Sequence, residues 1–248
     1  MFTLALICSC LAFSQPDTTY LKQLYDRCLD FSEEKIDSIK YYANYIEKES
    51  ERLKFNKGPV LSTRLRGLYE DLNNNYSKAI EYYLQSLEEA RKLQAVEYEM
   101  SALSDLAIVY SAIKEPVKAK EFYIQCAEMV RERGEVSSLI NTYNNLAVIY
   151  TQLKQYDSAR ILLNEAIRIA KPYSETLDLT SLYNNLGNVN FREKKFDEAL
   201  RHFRRNYFHF TSQDNSAGLW VAVLNIADVY IEKKVFDSAA FYASKAMH

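Results

Sequence analysis

The sequence predicts an all-α solenoid in which antiparallel helix pairs stack one after another. Three observations support this fold: apolar residues recur at helical spacing, one pattern of small and aromatic residues recurs with a constant period, and the 248-residue chain has only Gly 5 and Pro 4. So few glycines and prolines argue against turn-rich β folds and against glycine-rich phosphate loops. A hydrophobic fraction of 48% is ample for a core and excludes wholesale disorder.

Small residues return every 40 positions along most of the chain. They are Gly67, Ala107, Ala147, Gly187 and Ala227, and twelve positions after each of them comes Ala79, Ala119, Ala159, Ala199 or Ala239. A fixed period of this kind predicts a repeat architecture, in which each unit buries its apolar face by stacking on its neighbours. We therefore expect the small residues to let helices approach closely and most tyrosines and phenylalanines to fill the core.

Each 40-residue unit is predicted to contain two helices. The first carries apolar residues at i, i+3, i+4 and i+7, as in Leu103, Leu106, Ala107 and Tyr110, and the second repeats this stripe in Tyr156, Ala159, Leu163 and Ala166. Short polar stretches such as Lys154-Gln155 separate the two helices. Pro116 follows such a stretch, where it can occupy the first turn of a helix at no cost in hydrogen bonds.

The motifs Tyr183-x2-Leu186-Gly187 and Ala199-x3-Phe203 resemble the signature of the tetratricopeptide repeat. The resemblance implies a right-handed superhelical solenoid of about six repeats, whose first helices line a concave surface that binds protein or peptide segments. The 40-residue unit is longer than the common unit of about 34 residues, and one extra turn or less per helix accounts for the difference. This longer form is similar to the repeats of kinesin light chains and of bacterial sensor and regulator proteins.

The repeats suggest a division of the chain into three parts. Residues 1–14 form a leader, residues 15–57 a degenerate first helix pair, and residues 58–248 the regular array. The degenerate pair is recognised by Ile36-Asp37-Ser38-Ile39, which is in register with Tyr156-Asp157-Ser158-Ala159. The last unit stops within its second helix and carries no polar cap, so we expect the natural protein to continue beyond His248 with a cap, and by analogy with bacterial sensors with a membrane span or output domain.

The first 13 residues are apolar except for Thr3 and Ser9. The small-x-small sequence Ala12-Phe13-Ser14 stands at the end of this apolar stretch, directly before Gln15. This pattern is typical of a secretory signal peptide, and it is too short to span a bilayer. We therefore expect a periplasmic or secreted protein that begins at Gln15. Two alternatives stay open: an ordinary hydrophobic helix of a cytoplasmic protein, and lipid attachment at Cys10.

Neither a catalytic centre nor a cofactor or metal site is predicted. The chain has no Cys-x-x-Cys pair and no cluster of cysteine and histidine, and His202 and His209 are about 10 Å apart on one helix. The net charge of −2 does not favour nucleic acid as the main partner. The basic stretch 201–209 is interpreted either as a contact for acidic partners or as a solvated helix face with Phe203 and Tyr207 in the core.

A series of polar residues marks the candidate partner-binding face of the first helices. Directly before the small-residue pair of each unit stand Asp105, Asn145, Asn185 and Asn225, with Asn144 and Asn184 one position earlier and Asn188 and Asp228 three positions later. The candidate binding residues are Asp105, Asn144, Asn145, Asn184, Asn185, Asn188 and Asn225. In the resembling family this face forms the groove, and asparagine both donates and accepts hydrogen bonds, which suits the backbone of an extended peptide. The alternative is an asparagine ladder that joins adjacent first helices and stabilises the stack.

The function that this sequence favours is a non-enzymatic scaffold that binds a protein or peptide segment in the concave groove. With its leader, it would be the exported sensor or adaptor part of a bacterial signalling protein, attached to a membrane only through a missing C-terminal span or a lipid anchor. A cytoplasmic regulator or adaptor is one alternative. A glycan- or nutrient-binding protein of the cell envelope, using groove aromatics such as Phe191, is the other.

Overall fold

The computed structural model describes residues 17–30, 36–173, 177–213 and 215–245. Within these ranges 86% of the residues are helical and no strand occurs, so the prediction of an all-α chain is confirmed. The predicted leader 1–14, with Cys10, and the chain end Met247-His248 lie outside the described residues.

Twelve helices form six consecutive pairs in the described part of the chain. They are α1 (Thr18–Leu29), α2 (Ile36–Leu53), α3 (Gly58–Leu72), α4 (Tyr76–Lys92), α5 (Val96–Ala112), α6 (Pro116–Arg133), α7 (Val136–Gln152), α8 (Tyr156–Ala170), α9 (Thr180–Arg192), α10 (Phe196–Ser212), α11 (Ser216–Glu232) and α12 (Phe236–Lys245). From α3 onward, the odd-numbered helices contain the first small residue of each repeat and the even-numbered helices contain the second. Pro116 is the first residue of α6, as predicted.

Eight of the turns between helices share one geometry. After α5, the backbone N–H of Lys114 donates to the carbonyl of Ser111 at 3.1 Å, and that of Glu115 donates to the carbonyl of Tyr110 at 2.8 Å. These bonds form a Schellman motif, which requires a left-handed residue just past the helix. Such residues recur at multiples of 20 positions: Lys54, Asn74, Gln94, Lys114, Gly134, Lys154, Lys194 and Lys234, with φ between 52° and 68°.

The chain divides into two compact units, Met1–Ala102 and Leu103–His248, and the boundary falls within α5. In the first unit, Leu21, Ile39, Leu61 and Leu65 are fully buried in the core. Asp17 caps α1, because its carboxylate accepts a hydrogen bond of 2.8 Å from the N–H of Tyr20. The packing of α1 against α2 and of α3 against α4 gives this unit its antiparallel layers.

The second unit contains the regular repeats, and its small residues lie where helices meet. Ala147 and Ala159 are fully buried, with Leu163 packed beside them. Gly187 is the equivalent of Ala147 one repeat later, and a Cβ atom there would lie 2.3 Å from Cε1 of Phe203. In these two repeats glycine accompanies the aromatic Phe203 and alanine accompanies Leu163, whereas in the repeat before them Ala107 packs in one cluster with Tyr123.

The connection between α8 and α9 departs from the other turns. A 3₁₀ turn at Lys171–Tyr173 follows α8, and α9 begins only at Thr180. The side chain of Asp178 accepts hydrogen bonds from the backbone N–H of Thr180 at 2.8 Å and from its hydroxyl at 2.9 Å. The 40-residue register of Gly187 is nevertheless preserved, so α9 presents the same face as α7 and α11.

Candidate ligand pocket on the first helices

Four half-buried asparagines join α7, α9 and α11 to one another: Asn144, Asn184, Asn185 and Asn225. The amide Nδ2 of Asn185 donates to Oδ1 of Asn144 at 2.8 Å, and Nδ2 of Asn225 donates to Oδ1 of Asn184 at the same distance. Both bonds connect residues 41 positions apart. These are two of the rungs that an asparagine ladder requires, and each one holds two neighbouring first helices together.

Asn145 has a different environment in the seam between α6 and α7. Its side chain forms a hydrogen bond with the hydroxyl of Tyr123, and burial of that ring raises the pKa of Tyr123 to about 12. Asp105 on α5 interacts electrostatically with the same tyrosine. The structure thus places Asp105 and Asn145 around a buried hydroxyl.

A cavity of about 370 Å³ opens along α7, α9 and α11. It is lined by Val148, Thr151, Gln152, Asn185, Asn188, Phe191, Arg192, Phe203, Asn225 and Asp228, and we call it the inner pocket. Three of the predicted site residues, Asn185, Asn188 and Asn225, meet there. Asn144 and Asn184 contribute to it only through the rungs that they form with Asn185 and Asn225.

The lining of the inner pocket combines amides with an apolar floor and two opposite charges. Phe203 is 2% exposed and forms part of the floor, and the half-buried Phe191 stands beside it. Within the described ranges, the side chain of Asn188 forms no hydrogen bond. Arg192 and Asp228 are exposed, and neither forms an ion pair with a described residue. The pocket therefore offers polar groups that water satisfies and that a ligand could take over.

Several residues of the inner pocket were missed by the sequence prediction. Arg192 lies seven positions after Asn185, so it shares a helix face with a predicted asparagine, and this spacing is the signal that could have identified it. Asp228, three positions after Asn225, was placed on the same polar face by the sequence but was not among the candidate binding residues. Thr151 gave no such signal, because its hydroxyl donates to the carbonyl of Ala147 at 2.8 Å, as many helical threonines do.

The basic stretch 201–209 on α10 contacts Tyr183 of α9 through His202 and Arg205. The rings of His202 and Tyr183 are stacked with centroids 6.0 Å apart, and the guanidinium of Arg205 lies 3.9 Å from the centroid of Tyr183. Burial, and then the charges of Arg201 and Arg205, lower the pKa of His202. Phe203 is buried, as the interpretation of this stretch as a solvated helix face requires.

The described part of the chain offers neither a metal centre nor a membrane-spanning helix. Its residues contain no group of three or more histidine, cysteine, aspartate or glutamate side chains placed to hold a metal ion. None of its helices combines the length and the apolar character needed to cross a membrane.

Part of the chain matches a known protein family. A family described as tetratricopeptide repeat matches residues 98–171. A search of curated protein sequences finds no significant match.

The fold is also found in solved structures. BtubC from P. vanneervenii is 22% identical over 86% of this chain and 89% of its own, with a TM-score of 0.71. A Rap protein complexed with competence and sporulation factor is 18% identical, covers 95% of this chain and 67% of its own, and has a TM-score of 0.68. NprR in complex with its cognate peptide NprX is 16% identical over 93% of this chain and 73% of its own, with a TM-score of 0.57. These likenesses concern the fold, which is that of tetratricopeptide-like repeat proteins.

Proposed function

We propose that this chain, which is built from tetratricopeptide-like repeats, is a non-enzymatic scaffold that binds an extended peptide segment in the inner pocket. The observation that carries the proposal is the convergence of Asn185, Asn188 and Asn225 on one open cavity beside Phe191. Amides can pair with a peptide backbone whatever its sequence, and the aromatic ring can pack against one of its side chains.

The two rungs leave part of each amide available for a ligand. Asn185 and Asn225 each use one N–H for the neighbouring asparagine, which leaves the second N–H and the carbonyl oxygen. A peptide in extended conformation has backbone donors and acceptors that need partners once water is displaced. The ladder and the groove interpretations are therefore compatible, since the rungs hold the amides in position for a peptide.

Two of the structural neighbours support this proposal. The Rap protein was solved with competence and sporulation factor and NprR with its cognate peptide NprX, so this fold is compatible with peptide binding. Binding rather than catalysis is also the role that we propose for the whole described chain.

The finer part of the proposal is that the chain is the exported sensor or adaptor part of a bacterial signalling protein. It rests on the apolar leader and on the small-x-small sequence before Gln15. Cell fractionation with N-terminal sequencing tests it. A mature N-terminus at Gln15 in the cell envelope is expected, whereas an intact Met1 in the cytosol would favour the cytoplasmic adaptor instead.

Peptide binding can be tested by selecting a randomised peptide library on the immobilised full chain and titrating the enriched peptides. Replacing both Asn185 and Asn225 by Ala is expected to weaken binding by about tenfold to a thousandfold, because a lost hydrogen bond and an unpaired partner cost ~1–3 kcal/mol each. Both residues also form rungs, so two single variants are needed to separate the roles.

Asn188→Ala removes a pocket amide that forms no rung, and Asn144→Ala removes a rung that does not line the pocket. We expect Asn188→Ala to weaken binding about 3- to 100-fold with an unchanged Tm. Asn144→Ala is expected to cost ~0.5–1.5 kcal/mol of stability and to weaken binding less than Asn188→Ala does, because it removes only the group that positions Asn185. Asn141→Ala, on the exposed side of α7, is the matched control. Failure to enrich any peptide on the wild-type chain would overturn the proposed function.

A further inference from the structure

The inner pocket carries two opposite charges that form no ion pair with any of the described residues. Arg192 is the last residue of α9 and Asp228 lies one turn before the end of α11, and both line the cavity. Two nearby lysines are already paired: Lys233 donates to Asp197 at 2.6 Å, and Lys195 contacts Glu193 at 3.2 Å. The pocket therefore has a positively charged side chain on α9 and a negatively charged side chain on α11.

The repeat register places the two charged residues at different positions along the helix axes. Asp228 is the equivalent of Asn188 one repeat later, and Arg192 lies four positions after Asn188. Four positions correspond to about 6 Å along a helix. With about 10 Å between neighbouring helices, the two backbone positions are about 12 Å apart. Glu232, one turn after Asp228, is exposed and adds to the negative side.

The lining of the inner pocket also includes apolar side chains. Phe191 is half-buried next to Arg192 in the sequence, and the buried ring of Phe203 belongs to the same lining. Val148 of α7 adds a further apolar group. A ligand that fills the pocket thus meets a cation, an anion and an apolar surface.

We propose that the peptide segment bound here carries an acidic side chain that pairs with Arg192 and a basic side chain that pairs with Asp228, with an apolar residue over Phe191. The inference rests on the proposed function and adds the chemical class of the peptide to it. An extended chain advances about 3.3 Å per residue, so about 12 Å corresponds to a spacing of two to four positions between the acidic and basic side chains. Charge complementarity of this kind fixes the register and direction of a bound segment.

The test repeats the selection of the randomised peptide library on three full-length proteins: wild type, Arg192→Gln and Asp228→Asn. Wild-type selection is expected to enrich an acidic and a basic residue two to four positions apart. Asp228→Asn should abolish the enrichment of the basic residue and keep that of the acidic one, and Arg192→Gln should do the reverse. Lys194→Gln, which removes a nearby exposed charge that does not line the pocket, is the matched control and should select the same peptides as wild type.

Titration of one enriched peptide gives the size of each effect. Neutralising its basic residue is expected to weaken binding to wild type about 5- to 50-fold, and to have little effect on binding to Asp228→Asn. Added salt should reduce the wild-type affinity more than that of either variant. Enriched peptides with no charge preference, or with the same preference on all proteins, would overturn this inference and leave the proposed function standing. No enriched peptide on any protein would overturn the proposed function itself.

Discussion

A methyl group at Gly187 is expected to destabilise the second unit, because the space for it is occupied by Phe203. A Cβ atom at Gly187 would lie 2.3 Å from Cε1 and 2.7 Å from Cδ1 of that ring. Carbon atoms in contact are normally about 3.5–4.0 Å apart, so the ring would have to move by more than about 1 Å. Phe203 is 2% exposed and cannot move outward without disturbing its neighbours.

The expected cost follows from two opposing contributions. Overpacking of this kind costs ~1–3 kcal/mol, and the better helix propensity of alanine returns ~1 kcal/mol. Gly187→Ala should therefore lower the free energy of unfolding by up to about 2 kcal/mol. The preceding repeat shows how the sequence avoids this clash, because Ala147 there is combined with the smaller Leu163 at the position equivalent to Phe203, and both are fully buried.

A double-mutant cycle isolates the contact. Gly187→Ala, Phe203→Leu and the double variant would be unfolded in urea and followed by circular dichroism and by the fluorescence of Trp220, the only tryptophan. The double variant should lose less stability than the sum of the single variants, by about 1–3 kcal/mol. Effects that add within about 0.5 kcal/mol would refute the reasoning, since they would mean that the glycine and the ring are not in contact.

Three further predictions concern turns, a buried amide and a buried hydroxyl. Lys154→Gly should raise the free energy of unfolding in urea by about 0.5–1 kcal/mol, because Lys154 has a φ of 59° and glycine adopts this conformation without strain. A lower free energy of unfolding would contradict this prediction. Asn206→Ala should lower the free energy of unfolding by ~1–3 kcal/mol, because it removes the 2.8 Å hydrogen bond from Nδ2 of Asn206 to the carbonyl of Thr180. An unchanged Tm would contradict this and would show that water replaces the lost hydrogen bond. The raised pKa of Tyr123, about 12 against an ordinary value of 10.0, means that stability from this group is complete below pH 10 and is lost as the pH rises from 10 towards 12. Urea unfolding across this range should therefore show a decline that Tyr123→Phe reduces.

The repeat pattern was sufficient to predict which helices pack and by which residues. Period and spacing placed Ala107, Ala147 and Ala159 at helix contacts, and each is fully buried. The start of α9 was beyond such reasoning, because α9 begins at Thr180, four positions later in the repeat than α7 and α11, while Gly187 keeps its register. Periodicity reports the register and does not report where a helix begins.

The candidate site was only partly predictable for a similar reason. A helical face could be assigned to Asn185 and Asn225 from their spacing, and they do lie in one pocket. Their hydrogen bonds to Asn144 and Asn184 depend on the distance and the crossing angle between neighbouring helices. Packing sets both of these quantities, and the local sequence of either helix does not specify them. The same holds for Arg192 and Asp228, which belong to different repeats and become neighbours only through stacking.

The evenly spaced left-handed turns restrict how the length of this chain can change. Turn residues at Lys114, Gly134, Lys154, Lys194 and Lys234 recur at multiples of 20 positions, so one helix and its turn together make half of a repeat. Loss or duplication of a whole helix pair within the second unit would preserve both the direction of every helix and the amide-to-amide bonds between first helices. Loss or duplication of a single helix with its turn would instead reverse the direction of each following helix and place second-helix side chains on the ligand face. Tandem duplication in steps of whole helix pairs is therefore the route by which such a binding surface can grow longer, adding one further recognition position at each step.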